Sequence, residues 1–114
     1  LSAPSRKELL RAYKERRQTG GVYVIRNTAT GRVLLQSAPN LSGGRHRFEF
    51  ALKTNSCVHH ALEADWKKYG AGVFAFEPLE TLEQGETQTN AAFLEDLKTL
   101  EALWDEKLGQ NLRY

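Results

Sequence analysis

The residues with the types and spacing for chemistry fall into a few groups. Cys57, His59 and His60 lie within four positions of one another and could act as metal ligands or as a nucleophile with its base. In a helix, neighbouring residues point about 100° apart. His59 and His60 therefore cannot grip one ion as an i, i+4 pair does. Cys57 and His60 would share a face, but two ligands fall short of a zinc site. A Cys-His pair can also serve nucleophilic catalysis, yet nothing supplies a third, orienting group at a recognisable spacing. The chain has no Gly-x-Ser-x-Gly and no phosphate-cradling Walker sequence.

A second chemistry fits the remaining charges better. Hydrolysis of a phosphodiester needs a cation on the scissile phosphate, a group that activates water, and a positive side chain for the developing charge. Magnesium prefers carboxylate oxygen and keeps several waters, so one Glu can suffice on the protein side. Glu95, Asp96, Glu101, Asp105 and Glu106 are the carboxylates available near the end of the chain, and Arg45 and Arg47 the cations near its middle. Spacing alone does not choose among them.

The elements that must position these residues are legible in outline. Ser5 and Glu8 form a capping box, and a helix is expected over about residues 6–17. Leu9, Leu10 and Tyr13 lie on one side, and Arg6, Lys7, Arg11, Lys14, Arg16 and Arg17 on the other. Gly20-Gly21 ends it. The β-branched and aromatic run 22–26 predicts a strand, Thr28 to Gly31 a turn, and 32–36 the return strand of a hairpin. Residues 38–44 read as a loop, and a short helix is expected over about 45–53. Ser56 is the expected cap of a helix over 57–69, ended by Gly70. A third strand is expected over 73–77, short or at an edge because Pro78 follows. After the polar stretch 83–90, a long helix is expected over about 91–108, with Leu94, Leu97, Leu100, Leu103, Trp104 and Leu108 as its apolar stripe. These elements predict an α+β fold: a small, three-stranded, mostly antiparallel sheet flanked by helices.

Charge adds a division that the total conceals. The 114 residues carry a formal net charge of only +2. Residues 1–60 hold 11 Lys and Arg against 3 Asp and Glu, and residues 61–114 hold 5 against 11. A basic half joined to an acidic half suits a phosphate-facing surface with carboxylates held apart. With 40% hydrophobic and 26% charged residues, the chain is neither disordered nor fibrous in composition, and its length predicts one domain spanning 1–114. A single cysteine excludes an internal disulfide and suits a reducing compartment, so a cytoplasmic protein is expected. No apolar run approaches the length of a membrane span. Residues 1–6 do not read as a signal peptide. The absence of Met suggests a cleaved tag or trimmed start, with residues 1–5 outside the ordered fold.

Read in order, the segments resemble a GIY-YIG nuclease domain. Gly21-Val22-Tyr23 matches the first half of that signature, followed by Val24 to Asn27, a Thr-x-x-Gly turn and a second strand leading to Asn40-Leu41. Arg47-Phe48 comes next on a helix. Leu62-Glu63-Ala64-Asp65-Trp66-Lys67-Lys68-Tyr69-Gly70 resembles the Leu-Gln-x-Asp-Trp-x-x-Tyr-Gly stretch of small stand-alone members. Phe74 to Glu77 resembles their third strand, and Leu100-Glu101-Ala102-Leu103-Trp104 their last helix, with Asn111 shortly after. The match spans about residues 6–112.

The resemblance implies a DNA endonuclease using one divalent ion, Mg²⁺ or Mn²⁺. Tyr23 would sit beside the attacking water and help deprotonate it. Arg47, with Arg45 as the alternative, would stabilise charge on the phosphate. Glu101 would hold the metal, and Asn111 would support the site. Arg6, Lys7, Arg11, Lys14, Arg26, Arg32, Arg45, Arg47 and Lys53 would face DNA, with RNA as the other candidate partner. Singly, each residue has a plainer reading, such as a half-buried strand tyrosine or an exposed helix glutamate; it is the ordered set that carries the resemblance. The second half of the signature departs from the pattern: Leu34-Leu35-Gln36 stands where Tyr-Ile-Gly is expected. Losing a positioned proton-transfer partner lowers a rate by roughly 10²–10⁴. Two expectations follow, a metal-dependent endonuclease with an altered second motif, and a nuclease-derived module that binds nucleic acid without cutting it.

Overall fold

The computed structural model describes residues 5–7 and 18–114. Arg6 and Lys7 are helical and exposed. The rest of the expected first helix, with Arg11 and Lys14, lies outside the described residues, as do positions 1–4.

The expected α+β fold is present. Strands β1 (Thr19–Asn27), β2 (Val33–Ala38) and β3 (Phe74–Glu83) form one antiparallel sheet in the order β2-β1-β3. Helices α1 (Leu41–Thr54), α2 (Glu63–Tyr69) and α3 (Asn90–Leu108) pack around it. β1 is central, and both of its faces are buried. Because side chains alternate along a strand, β1 feeds two cores. Tyr23 and Ile25 join Leu34, Phe48, Ala51, Leu62, Trp66 and Phe74 on the α1 and α2 side. Val22 and Val24 join Val33 and Leu35 on the other side, against Leu100, Trp104 and Leu108 of α3.

The glycines that open β1 are there for close approach. A Cβ on Gly20 would stand 2.6 Å from the Ala38 carbonyl oxygen, and one on Gly21 would collide with the carbonyl oxygen of Glu80. Both faces of the start of β1 are thus closed by neighbouring backbone, where no larger residue fits.

Several boundaries differ from the sequence expectation, each for a local reason. Residues 41–44 are helical rather than loop. Asn40 adopts an extended conformation, and its Oδ1 accepts from the Gly43 amide at 3.0 Å, so α1 starts at Leu41 despite its two glycines. The expected helix over 57–69 is interrupted, and Ser56 is not its cap. His59 is extended and its Nδ1 accepts from the Ala61 amide, so only a 3-10 turn (His60–Leu62) and then α2 follow. β3 runs on to Glu83 instead of stopping at Pro78. The register shifts between Val22 and Tyr23, where β3 inserts an extra residue beside Pro78, and β3 is an edge strand. Both features admit a proline. On α3 the buried stripe starts at Phe93, which is fully buried, while Leu94 and Leu103 are exposed.

Two polar knots fix the ends of these elements. Asn27 is fully buried. Its Oδ1 accepts from the amides of Ala29 and Thr30, and its Nδ2 donates to Tyr114 Oη at 3.0 Å and Asp65 Oδ2 at 3.3 Å. Tyr114 in turn donates to Asp65 at 2.7 Å. Gln84, also buried, donates to the Gln88 carbonyl and to Asn90, both at 2.9 Å, which sets the entry of α3. Such knots leave few buried polar atoms without partners.

Candidate functional site

Tyr23 sits mid-strand on β1, with Phe76 stacked on its ring at a centroid separation of 4.4 Å. Gly44 of α1 leaves room beside the ring: a Cβ there would lie 3.6 Å from Tyr23 Cε1. The Arg47 guanidinium lies over the same glycine pair, 3.6 Å from a Cβ built on Gly43 and 3.8 Å from one on Gly44. The first turn of α1, with Gly43 and Gly44, thus runs between Tyr23 and Arg47. The two arginines of α1 stand differently toward Tyr23. Arg47 is the cation that acts on Tyr23, pulling its pKa down. Arg45 instead lies over the Phe76 ring, 4.9 Å from its centroid.

Glu101 comes from α3, on the opposite face of the sheet. It lines a cleft of about 310 Å³ with Leu35, Lys98, Ala102, Asp105 and Arg113. Its charge nevertheless reaches Tyr23 and raises the phenol's pKa. β2 is the divide between the two faces. Gln36 is paired directly with Tyr23 across the strands, and Leu35, the preceding residue, lines the Glu101 cleft. Tyr23 and Arg47 thus lie on one face and Glu101 on the other, with the Arg47 and Glu101 charges acting on the Tyr23 phenol in opposite directions.

The ionisation of Tyr23 and Glu101 is set chiefly by burial. Burial is the largest cause raising the Tyr23 pKa, and Arg47 only partly offsets it. Tyr23 is therefore a neutral phenol at neutral pH, a hydrogen-bond donor that can orient a water or a phosphate oxygen. The Glu101 pKa is raised as well, first by burial and then by the Asp105 carboxylate one turn along the helix, with Arg113 opposing. Arg113 pairs with Asp105 at 2.8 Å and donates to the Gly109 carbonyl at 3.1 Å. Glu101 itself makes no hydrogen bond or ion pair with the other described residues.

That state of Glu101 fits a magnesium-type ligand. Among the described residues no three His, Cys, Asp or Glu side chains come together, but Mg²⁺ accepts one or two carboxylates and completes its shell with water and phosphate oxygen. A carboxylate pressed by a like charge and by burial gains from a bound cation. Cys57 and the two histidines form no such site. Cys57 donates to the His59 carbonyl at 2.9 Å, and the imidazoles stack on each other at 4.7 Å.

The other expected contacts divide. Arg45, Arg47 and Lys53 all stand on α1, exposed and without an ion pair among the described residues. Arg26 is paired with Glu77. Arg32 lies over the Tyr114 ring at 4.3 Å and donates to the Arg113 carbonyl at 3.3 Å. These two arginines support the fold. Asn111 is exposed beyond α3, apart from the interactions that join Tyr23, Arg47 and Glu101. Leu34 is a core residue paired with Ile25, 8% exposed. Arg113 escaped the sequence reading. Its only signal was its position four residues after a helix-ending glycine, which is too weak to place a cation beside Glu101.

No described helix is long and apolar enough to cross a membrane. Comparison with protein-family models, with curated proteins and with solved structures finds no match for this chain.

Proposed function

We propose that this chain is a GIY-YIG-type, metal-dependent endonuclease acting on DNA, with an altered second motif. One observation carries the reading. A strand tyrosine on β1 carries the opposing influence of an arginine on α1 and a carboxylate on α3, neither of them ion-paired among the described residues. They are the residue types that phosphodiester hydrolysis requires, in the order the sequence resemblance implies.

In this reading Glu101 would hold Mg²⁺ or Mn²⁺, which supplies charge neutralisation on the phosphate and an acidified water when bound. Arg47 stabilises the developing charge on the phosphate oxygens. Tyr23, held as a phenol by burial, orients the attacking water by donating a hydrogen bond. α1 presents Arg45, Arg47 and Lys53 to the phosphate backbone. The free Cys57 fits a cytoplasmic setting, where it stays reduced.

A second reading is a nucleic-acid-binding module that does not cut. Leu34 at the expected second tyrosine is buried, and Gln36 faces Tyr23, so the partner hydroxyl of the family pattern is missing. Nicking of supercoiled plasmid DNA with Mg²⁺ or Mn²⁺ separates the two. The nuclease reading expects nicking that Glu101→Ala abolishes. Cutting that survives Glu101→Ala refutes the metal assignment, and binding without cutting supports the second reading.

A further inference from the structure

On α1 lies a groove of about 550 Å³ that shares only Arg47 with the proposed site. Its floor is Ala51, Cys57 and Val58, and its lip is His46, Arg47 and Phe50. No acidic side chain lines it. Phe50 is 66% exposed, an unusual state for a phenyl ring. It stands three residues from Arg47, on the same face of α1. Arg47, like Arg45 and Lys53 on the same helix, has no ion-pair partner among the described residues.

We infer that this groove is a base slot: it takes one unstacked nucleobase of a single-stranded nucleic acid, with Phe50 as the stacking face and Arg47 on the adjoining phosphate. The inference rests on the proposed nucleic-acid function and names its substrate form. The argument is complementarity. A nucleotide is a flat, largely apolar ring tied to an anion, and the groove is a flat apolar surface tied to unpaired cations. A base inside a duplex has both faces covered and cannot reach the slot, whereas unpaired bases stack readily on exposed aromatic rings. An apolar helix would match the floor but leave the cations unmet.

The test is binding in EDTA, where no strand is cut, read by fluorescence anisotropy. The probes are a labelled thymidine single strand, an abasic strand of the same length and charge, and a blunt duplex. The native chain is expected to bind the thymidine strand roughly tenfold tighter than the abasic strand. Phe50→Ala should bring thymidine binding down to the abasic level and leave abasic binding unchanged, and Phe50→Trp should keep the preference. Phe50 is exposed, so neither change threatens the fold. Equal binding of the two strands overturns the proposal. So does a preference that survives Phe50→Ala, a duplex bound as tightly as the thymidine strand, or an acidic peptide that displaces the strand as well as unlabelled thymidine does. If base preference is absent while Glu101-dependent cleavage holds, the slot alone falls. If no probe is bound, the slot and the nucleic-acid reading fall together.

Discussion

Arg113 holds Asp105 at 2.8 Å, and the pair stands beside Glu101 in the same cleft. The arrangement has two effects on Glu101. Asp105 opposes its charge and Arg113 supports it, so removal of either partner shifts the balance in a known direction. The Arg113 side chain is 15% exposed, which strengthens its interactions relative to surface charges.

Glu101→Gln is expected to stabilise the fold at neutral pH. The folded-state pKa of Glu101 is raised above its ordinary value of 4.5. A raised carboxylate contributes stability that is fully present below the unfolded-state value and is lost as pH rises through the folded-state value. At pH 7 the ionised Glu101 therefore costs stability, and the amide does not. Urea unfolding should show the variant more stable at pH 7, with the difference gone below about pH 4. A variant less stable at pH 7 contradicts the strained-carboxylate account.

Arg113→Ala is expected to act with the opposite sign. It leaves Asp105 and Glu101 facing each other without a cation, and because Asp105 is half exposed the loss should be about 1 kcal/mol at neutral pH. Acid relieves the repulsion by protonating Glu101, whose pKa is raised. The deficit should shrink when unfolding is repeated near pH 4, and an equal deficit at both pH values would assign the loss to packing alone.

Gly21→Ala tests the close approach that opens β1. The new Cβ meets the Glu80 carbonyl oxygen, which is fixed backbone rather than a movable side chain. Overpacking of this kind costs about 1–3 kcal/mol, readable as a lowered thermal midpoint. Gly72→Ala is the control, because a Cβ there has nothing within 4 Å. Equal effects of the two changes would remove the steric explanation.

Leu34→Tyr with Gln36→Gly tests the altered motif. Leu34 lies on the same face of the sheet as Tyr23, and Gln36 pairs directly with Tyr23. The double change therefore places a hydroxyl and a space where the family pattern has them. Plasmid nicking with Mg²⁺ should rise by roughly 10²–10⁴. Circular dichroism checks that the larger core side chain is tolerated. A folded double variant with unchanged cutting means that the missing second motif is not what limits the native chain.

The hairpin was legible because Val22, Tyr23, Val24 and Ile25 precede a Thr-x-x-Gly turn and the apolar run Val33-Leu34-Leu35 follows it, a signal that needs no tertiary information. The start of α1 was not. Gly43 and Gly44 weaken a helix by propensity, and only the Asn40 cap, whose Oδ1 accepts from the Gly43 amide, shows that the helix starts ahead of them. The segment from Cys57 misled in the other direction, since Val58, Ala61 and Leu62 have helical spacing while His59 is extended. On α3 the stripe was right at Leu97, Leu100, Trp104 and Leu108, and erred at Leu94 and Leu103, which are exposed, and in leaving out the buried Phe93. The types of the site residues could be listed in advance. Which arginine acts on Tyr23, and the arrival of Arg113 beside Glu101, depend on chain paths: the first turn of α1, and a reversal through Gly109 and Leu112, both at positive φ.

Residues 112–114 also lie along the outer edge of β2, where the Val33 amide donates to the Leu112 carbonyl at 2.7 Å and the Tyr114 amide to the Val33 carbonyl at 3.0 Å. This gives the amide proton of Val33 a use as a reporter. It exchanges with solvent deuterium only when that short segment lifts away, and the same event withdraws Arg113 from Glu101. Its exchange rate, compared with that of Val24 in the central strand, measures local opening against global unfolding. Tyr114→Phe, which removes the hydrogen bond to Asp65, should speed exchange at Val33 and leave Val24 far less affected.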